Sequence, residues 1–205
     1  MDVLDRFAPA TREWFGGAFK APTAAQSGAW DAISQGRHAL VVAPTGSGKT
    51  LSAFLWGIDR VIRDKQSREQ EPKAQRTRIL YISPLKALGV DVERNLRSPL
   101  VGISQAARRL GEPAPDVSVG VRSGDTPSSD RQRLVRQPPD ILITTPESLY
   151  LMLTSQARET LREVHTVIVD EAWMAPATVW LNLQHLAAQV ALIGDPGQIM
   201  PWEPD

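Results

Sequence analysis

Residues 43–50 run Ala43-Pro44-Thr45-Gly46-Ser47-Gly48-Lys49-Thr50, a stretch whose residue types suit one task, the grip of a polyphosphate. Glycine has no Cβ, so a backbone built on Gly46 and Gly48, with Thr45 and Ser47 in the same curl, can aim successive N–H groups at phosphate oxygens. Lys49 can then reach the β and γ phosphates of a nucleoside triphosphate, and the Thr50 hydroxyl suits magnesium. Ala43 stands where the general pattern begins with glycine. A second element, Val167-Ile168-Val169-Asp170-Glu171-Ala172, ends in two carboxylates. Asp170 is expected to hold magnesium through water, and Glu171 to orient and deprotonate the water that attacks the γ phosphate. An isolated Asp-Glu pair more often caps a helix or sits in solvent, and a Gly-Lys-Thr triplet can occur in a surface turn. The surrounding elements decide between these readings.

Short apolar runs rich in β-branched residues recur at 38–43, 78–83, 117–121, 140–144, 165–170 and 190–194, separated by segments of helical spacing. This alternation predicts an α/β fold, a mostly parallel sheet with helices on both faces. Parallel sheets gather ligand groups at the carboxyl ends of their strands, where residues 43–50 and the pair Asp170 and Glu171 both fall. Together they imply an ATPase using ATP and magnesium. Thr23 can cap a helix reaching Gln35 with Gly36 as its stop, a second helix is expected at 49–63 directly after the first strand, and Pro146 fits the first turn of a third. The polar stretch 64–77, with Lys65, Arg68, Pro72, Lys73 and Arg76, is expected as an exposed loop, and Arg131, Arg133 and Arg136 as a solvated helix face. If one right-handed crossover joins them, the strands ending at Asp170 and Gly194 lie side by side.

The chain has 205 residues and is 42% hydrophobic, enough for one ordinary core and so for a single domain over 1–205. Lys plus Arg balances Asp plus Glu at 23 each, which neither signals nor excludes a nucleic-acid partner. There is no cysteine, hence no disulfide or thiolate metal site, and no apolar run approaches the roughly 18 residues of a membrane span. The acidic start Met1-Asp2-Val3-Leu4-Asp5 leads into no apolar stretch, so no signal peptide and a cytoplasmic protein without a membrane partner are expected.

Several further runs carry a family resemblance. Phe19-Lys20-Ala21-Pro22-Thr23-Ala24-Ala25-Gln26 resembles the adenine-reading Q motif of superfamily two helicases. The resemblance implies that Gln26, with Thr23 beside it, reads adenine through an amide that can donate and accept. A plain helix cap at Thr23 with a solvent-facing Gln26 is the competing reading. Ser83-Pro84-Leu85-Lys86-Ala87-Leu88 resembles motif Ia, Thr144-Thr145-Pro146-Glu147-Ser148-Leu149 resembles motif Ib, and Arg122-Ser123-Gly124-Asp125-Thr126 resembles a further backbone-contacting loop of the same enzymes. The resemblance implies that Ser83, Pro84, Lys86, Arg122, Gly124, Thr144, Thr145 and Pro146 hold the sugar-phosphate backbone of one strand without reading sequence. Singly, each run is also an ordinary strand-to-helix turn. Their wording over 14–170 is similar to the large helicase-related (Lhr) family. That implies the first RecA-like domain, a P-loop NTPase fold, of an ATP-dependent helicase or translocase acting on DNA rather than RNA, with a role in DNA repair or maintenance.

The end of the chain departs from that pattern. Trp173 stands where superfamily two usually places His or Asp, and Leu192-Ile193-Gly194-Asp195-Pro196-Gly197-Gln198 resembles motif III of superfamily one helicases instead. By that analogy Gln198 senses the γ phosphate; a tight Asp-Pro-Gly turn is the alternative. A second RecA-like domain, expected on another chain or in a longer one, would supply an arginine finger, without which turnover is slow. Two other functions remain open: a nucleotide-dependent nucleic-acid-binding module without unwinding activity, and a different phosphate-loop enzyme such as a small-molecule kinase.

Overall fold

The computed structural model describes residues 2–44, 46–67, 76–84, 86–114, 116–171 and 188–195, without the side chains of Lys86, Ala87, Leu88 and Val90. Thr45, Trp173 and Gln198 lie outside the described residues. Six strands form one sheet: β1 (Ala39–Val42), β2 (Ile79–Ile82), β3 (Val119–Arg122), β4 (Ile141–Thr144), β5 (Thr166–Val169) and β6 (Gln189–Gly194). They lie in the order β1-β6-β5-β2-β4-β3, and every neighbouring pair is parallel. All six expected strands are present. β3 starts later than the sequence indicates because the Asp140 carboxylate takes both the backbone N–H and the hydroxyl of Ser118, each at 2.8 Å, before the ladder begins at Val119.

Around the sheet stand α1 (Pro9–Ala18), α2 (Ala24–Ser34), α3 (Lys49–Ser67), α4 (Lys86–Arg109), α5 (Ser128–Arg136) and α6 (Pro146–Leu153), with 3-10 turns at Val3–Arg6 and Gln156–Leu161. Alternating strand residues send Val41, Ile79, Tyr81, Ile143, Ile168 and Ile193 into a core shared with Trp30, Phe54, Leu55 and Leu96 of α2, α3 and α4. Their neighbours Leu80, Ile82, Leu142, Val167 and Val169 meet Leu149 and Met152 of α6 on the opposite face. β2, β4 and β5, buried on both faces, read as continuous apolar runs, which is why they were legible. Among the described residues no helix is long and apolar enough to cross a membrane.

Two expectations change. Residues 64–67 continue α3 and do not form a loop, and Lys65 is no solvated charge: its ammonium meets Asp140 Oδ2 at 2.7 Å and the Asp116 carbonyl at 2.6 Å. The buried Asp140 carboxylate needs a cation, and one more helical turn brings Lys65 to it. Residues 68–75 lie outside the described residues. Arg131 is likewise no free surface charge, since it donates to the carbonyls of Thr126 at 2.8 Å and Gly124 at 2.6 Å; Arg133 and Arg136 are exposed as expected.

Candidate nucleotide and nucleic-acid site

Because all six strands run the same way, the phosphate loop, the Asp170–Glu171 pair and the runs after β2, β3 and β4 all leave the sheet at one edge. The loop after β1 curls at Gly46 and Gly48, with φ of 82° and 80°, backbone that an L side chain rarely adopts. A Cβ at Gly48 would also stand 2.5 Å from Gln26 Nε2. The Q-motif amide therefore sits against the phosphate loop, and any other residue at 48 would push it out. Gln26 is buried, so the solvent-facing alternative does not hold, although the helix cap does: Thr23 and Gln26 form a reciprocal capping box. The Thr23 hydroxyl donates to the Ser47 carbonyl at 3.1 Å, tying α2 to the loop. Lys49 opens α3; its ammonium donates to the Ala43 carbonyl and lies 3.7 Å from Asp195 at the end of β6. Thr50 follows in the first turn.

The carboxylate pair follows β5, two strands away across β6. Asp170 keeps the ladder, donating its N–H to the Ile82 carbonyl at 2.9 Å, while Glu171 turns into left-handed backbone with φ 49°. Such a conformation in a non-glycine residue costs about 1–3 kcal/mol and persists only where its surroundings impose it. The Asp170 carboxylate is held at both oxygens: Oδ1 accepts the Glu171 N–H at 3.0 Å, and Oδ2 accepts the Tyr81 hydroxyl. Burial, then the charges of Asp170 and Glu171, push the Tyr81 hydroxyl far above the usual phenol range, so it stays a donor.

The residues fit a magnesium polyphosphate. Magnesium keeps most of its waters and takes one or two protein oxygens beside phosphate, and hard oxygens on Thr50 and Asp170 supply that set. Among the described residues no group of three or more His, Cys, Asp or Glu forms a protein cage for metal. The Ser47 hydroxyl is buried with no hydrogen-bond partner among the described residues.

The other half of the edge belongs to β2, β4 and β3. Ser83 is buried and its N–H donates to the Thr144 carbonyl at 3.0 Å; Pro84 follows, and Lys86 opens α4. Thr144 ends β4, Thr145 caps α6 by accepting the Ser148 N–H at 3.3 Å, and Pro146 takes the first helical position. Past β3 the Ser123 N–H donates to the Thr126 hydroxyl at 2.8 Å, closing a turn over Gly124 that Arg131 clamps from α5. Arg122 is buried with Nη1 unpartnered among the described residues, and burial together with the charge of Arg131 lowers its pKa.

A family model described as DEAD/DEAH box helicase matches residues 23–175, which include every strand of this edge but β6. The chain belongs to the DEAD/DEAH box helicase family. Within it, the chain is 62% identical over 177 residues to the Lhr helicase/probable uracil glycosylase of Mycolicibacterium smegmatis, covering 86% of this chain and 11% of that protein. It is 60% identical over 168 residues to the Lhr helicase/uracil glycosylase of Escherichia coli, covering 82% of this chain and 11% of that protein. The solved structure of Mycobacterium smegmatis helicase Lhr bound to ssDNA and AMP-PNP superposes with a TM-score of 0.84 at 53% identity, over 98% of this chain and 26% of that one. The chain thus spans about a tenth of the length of these two relatives, and the Lhr resemblance read from its motifs holds. The RecA-like fold expected of a helicase domain holds as well.

Two residues of this helicase domain escaped the sequence reading as site residues. Asp195 was visible only as part of a turn, and its approach to Lys49 depends on β1 and β6 being neighbours although 150 residues of chain separate Ala39 from Gln189. Tyr81 looked like one more apolar strand residue. Only the pairing of β2 with β5 brings its hydroxyl to Asp170.

Proposed function

We propose that residues 1–205 are the first RecA-like domain of an ATP-dependent helicase or translocase, which binds magnesium-ATP on the β1, β6 and β5 half of the edge and single-stranded DNA on the β2, β4 and β3 half. The observation that carries this reading is the convergence on three adjacent strands of Gln26, the loop at 46–49 and the held carboxylate of Asp170. Gln26 meets adenine, the amides at 45–49 and the Lys49 ammonium take the β and γ phosphates, and Thr50 and Asp170 face magnesium. Bound there, magnesium would neutralise phosphate charge and polarise the γ phosphorus. Glu171 orients a water and takes its proton as a new P–O bond forms; the bond from the bridging oxygen to the γ phosphorus breaks, and ADP and phosphate leave. Gln198, three residues beyond Asp195, reports ATP against ADP; Gln198→Ala should bring the two affinities together, and an unchanged ratio would reduce it to a turn residue.

Ser83, Pro84, Lys86, Arg122, Gly124, Thr144, Thr145 and Pro146 hold one strand by hydroxyls, amides and charge, independent of sequence. DNA is favoured over RNA because the similar helicase structure carries ssDNA and the relatives' names join helicase to uracil glycosylase, a DNA-repair chemistry. DNA maintenance in the cytoplasm is the role that follows. A second RecA-like domain completes the motor by closing over the nucleotide and supplying an arginine. The test is ATP turnover with and without single-stranded DNA, the second domain being supplied by the full-length relative or in trans. DNA stimulation only in its presence supports the reading; turnover driven by a small acceptor and indifferent to DNA overturns it.

A further inference from the structure

The two halves of the edge meet where β5 pairs with β2, and at that seam one buried side chain touches both. Tyr81 is 1% exposed, and its ring stacks on Phe54 of α3, the helix that Lys49 opens, with centroids 5.2 Å apart. Its hydroxyl donates to Asp170 Oδ2, and Ser83, two residues on, is buried. Tyr81 therefore links α3, the helix that Lys49 opens, to the carboxylate that faces magnesium, from the strand that leads into Ser83. We propose that Tyr81 is a positioning residue, fixing the Asp170 carboxylate for magnesium-nucleotide. This rests on the nucleotide reading of the site.

With Oδ1 engaged by the Glu171 N–H and Oδ2 by Tyr81, the Asp170 carboxylate cannot rotate about its last bond. Removing the Tyr81 hydroxyl leaves Oδ2 unheld among the described residues, and ordering the group falls to the metal. Partners of this kind behind a metal ligand are worth about 10- to 100-fold in metal affinity. Ring packing on Phe54 is a separate property that phenylalanine retains.

The experiment titrates a fluorescent ATP analogue onto the chain over a series of magnesium concentrations, with circular dichroism and thermal unfolding as checks of fold. For Tyr81→Phe the magnesium concentration giving half-maximal nucleotide affinity should rise about tenfold, while affinity in EDTA stays at the wild-type value. In an Asp170→Asn background the same substitution should add nothing, because the tyrosine acts through that carboxylate. A folded Tyr81→Phe with the wild-type magnesium midpoint overturns the proposal, as does equal weakening with and without magnesium, or an undiminished effect on Asp170→Asn. A wild-type chain that binds no magnesium nucleotide overturns the site reading itself, a result distinct from any of these.

Discussion

The half of the sheet edge formed by β1, β6 and β5 and the half formed by β2, β4 and β3 are built from the same parallel ladder and follow opposite designs. In the first, charges gather: Lys49 and Asp195 stand 3.7 Å apart, Asp170 and Glu171 follow the strand beside β6, and the backbone enters the left-handed region at Gly46, Gly48 and Glu171. In the second, Thr145 and Thr126 turn their hydroxyls to backbone N–H groups of their own turns, and Arg122 and Arg131 bring cations to the turn after β3. A compact, highly charged ligand needs converging charge and a curled backbone. A sugar-phosphate strand needs amides, hydroxyls and cations held along a line.

Substitutions on each half should therefore separate cleanly. The largest effect is expected from Glu171→Gln, which keeps shape and loses the base: turnover should fall about 10²- to 10⁴-fold with magnesium-nucleotide affinity retained. Steady-state hydrolysis beside a binding titration checks it, and wild-type turnover would remove Glu171 from the chemistry. Next, Lys49→Ala should weaken nucleotide binding about 10- to 100-fold through loss of a charge-assisted hydrogen bond, leave DNA binding alone and keep the circular dichroism spectrum. Loss of DNA binding as well would merge the two halves.

Arg122→Leu is the matching change on the other side. Single-stranded DNA should bind more weakly whatever its sequence, with the salt dependence shallower by about 0.7 in logarithmic slope for each phosphate no longer neutralised. Nucleotide affinity should not move. The fold should tolerate the change, since Nη1 has no partner among the described residues to leave behind.

The smallest effect lies away from both halves, at the amino end of β5. His165 is buried, and burial, with Arg60 and Arg78 adding to it, pushes its pKa down to about 3 from the usual 6.5. Between those values the unfolded chain takes up a proton that the folded chain refuses, so stability is full above about 6.5 and declines as pH falls towards 3. The slope from this one group is about 1.4 kcal/mol per pH unit. Urea unfolding at pH 7 and pH 5 should show a smaller difference for His165→Leu than for wild type; equal differences would mean that His165 titrates normally.

What could be read in advance follows the same division. The phosphate loop and the Asp-Glu pair announce themselves by residue type, and the strands by unbroken apolar runs such as Ile79 to Ile82. Helix α4 was hidden by Pro99 and by Gly89 and Gly102, residues that locally signal turns but here lie in a helix packed on the sheet. The end of α3 was hidden because Lys65 and Gln66 look like solvated residues until Asp140 and Pro113 come within reach across the fold. Tyr81 and Asp195 carry no local signal at all. Their partners are supplied by the strand order, which no short window contains.

One sheet edge should carry two adjacent sites, nucleotide on one side of the β5–β2 seam and nucleic acid on the other. Mapping amide NMR shifts of the 205-residue chain on addition of magnesium-AMP-PNP, and separately of single-stranded DNA, tests it most directly. The nucleotide should move the amides of Gln26, Gly46 to Thr50, Asp170, Glu171 and Asp195, and the DNA those of Ser83, Arg122 to Thr126, Thr144 and Thr145. Shifts from the nucleotide confined to the β2, β4 and β3 half, or a folded chain in which neither ligand moves either set, would contradict the account.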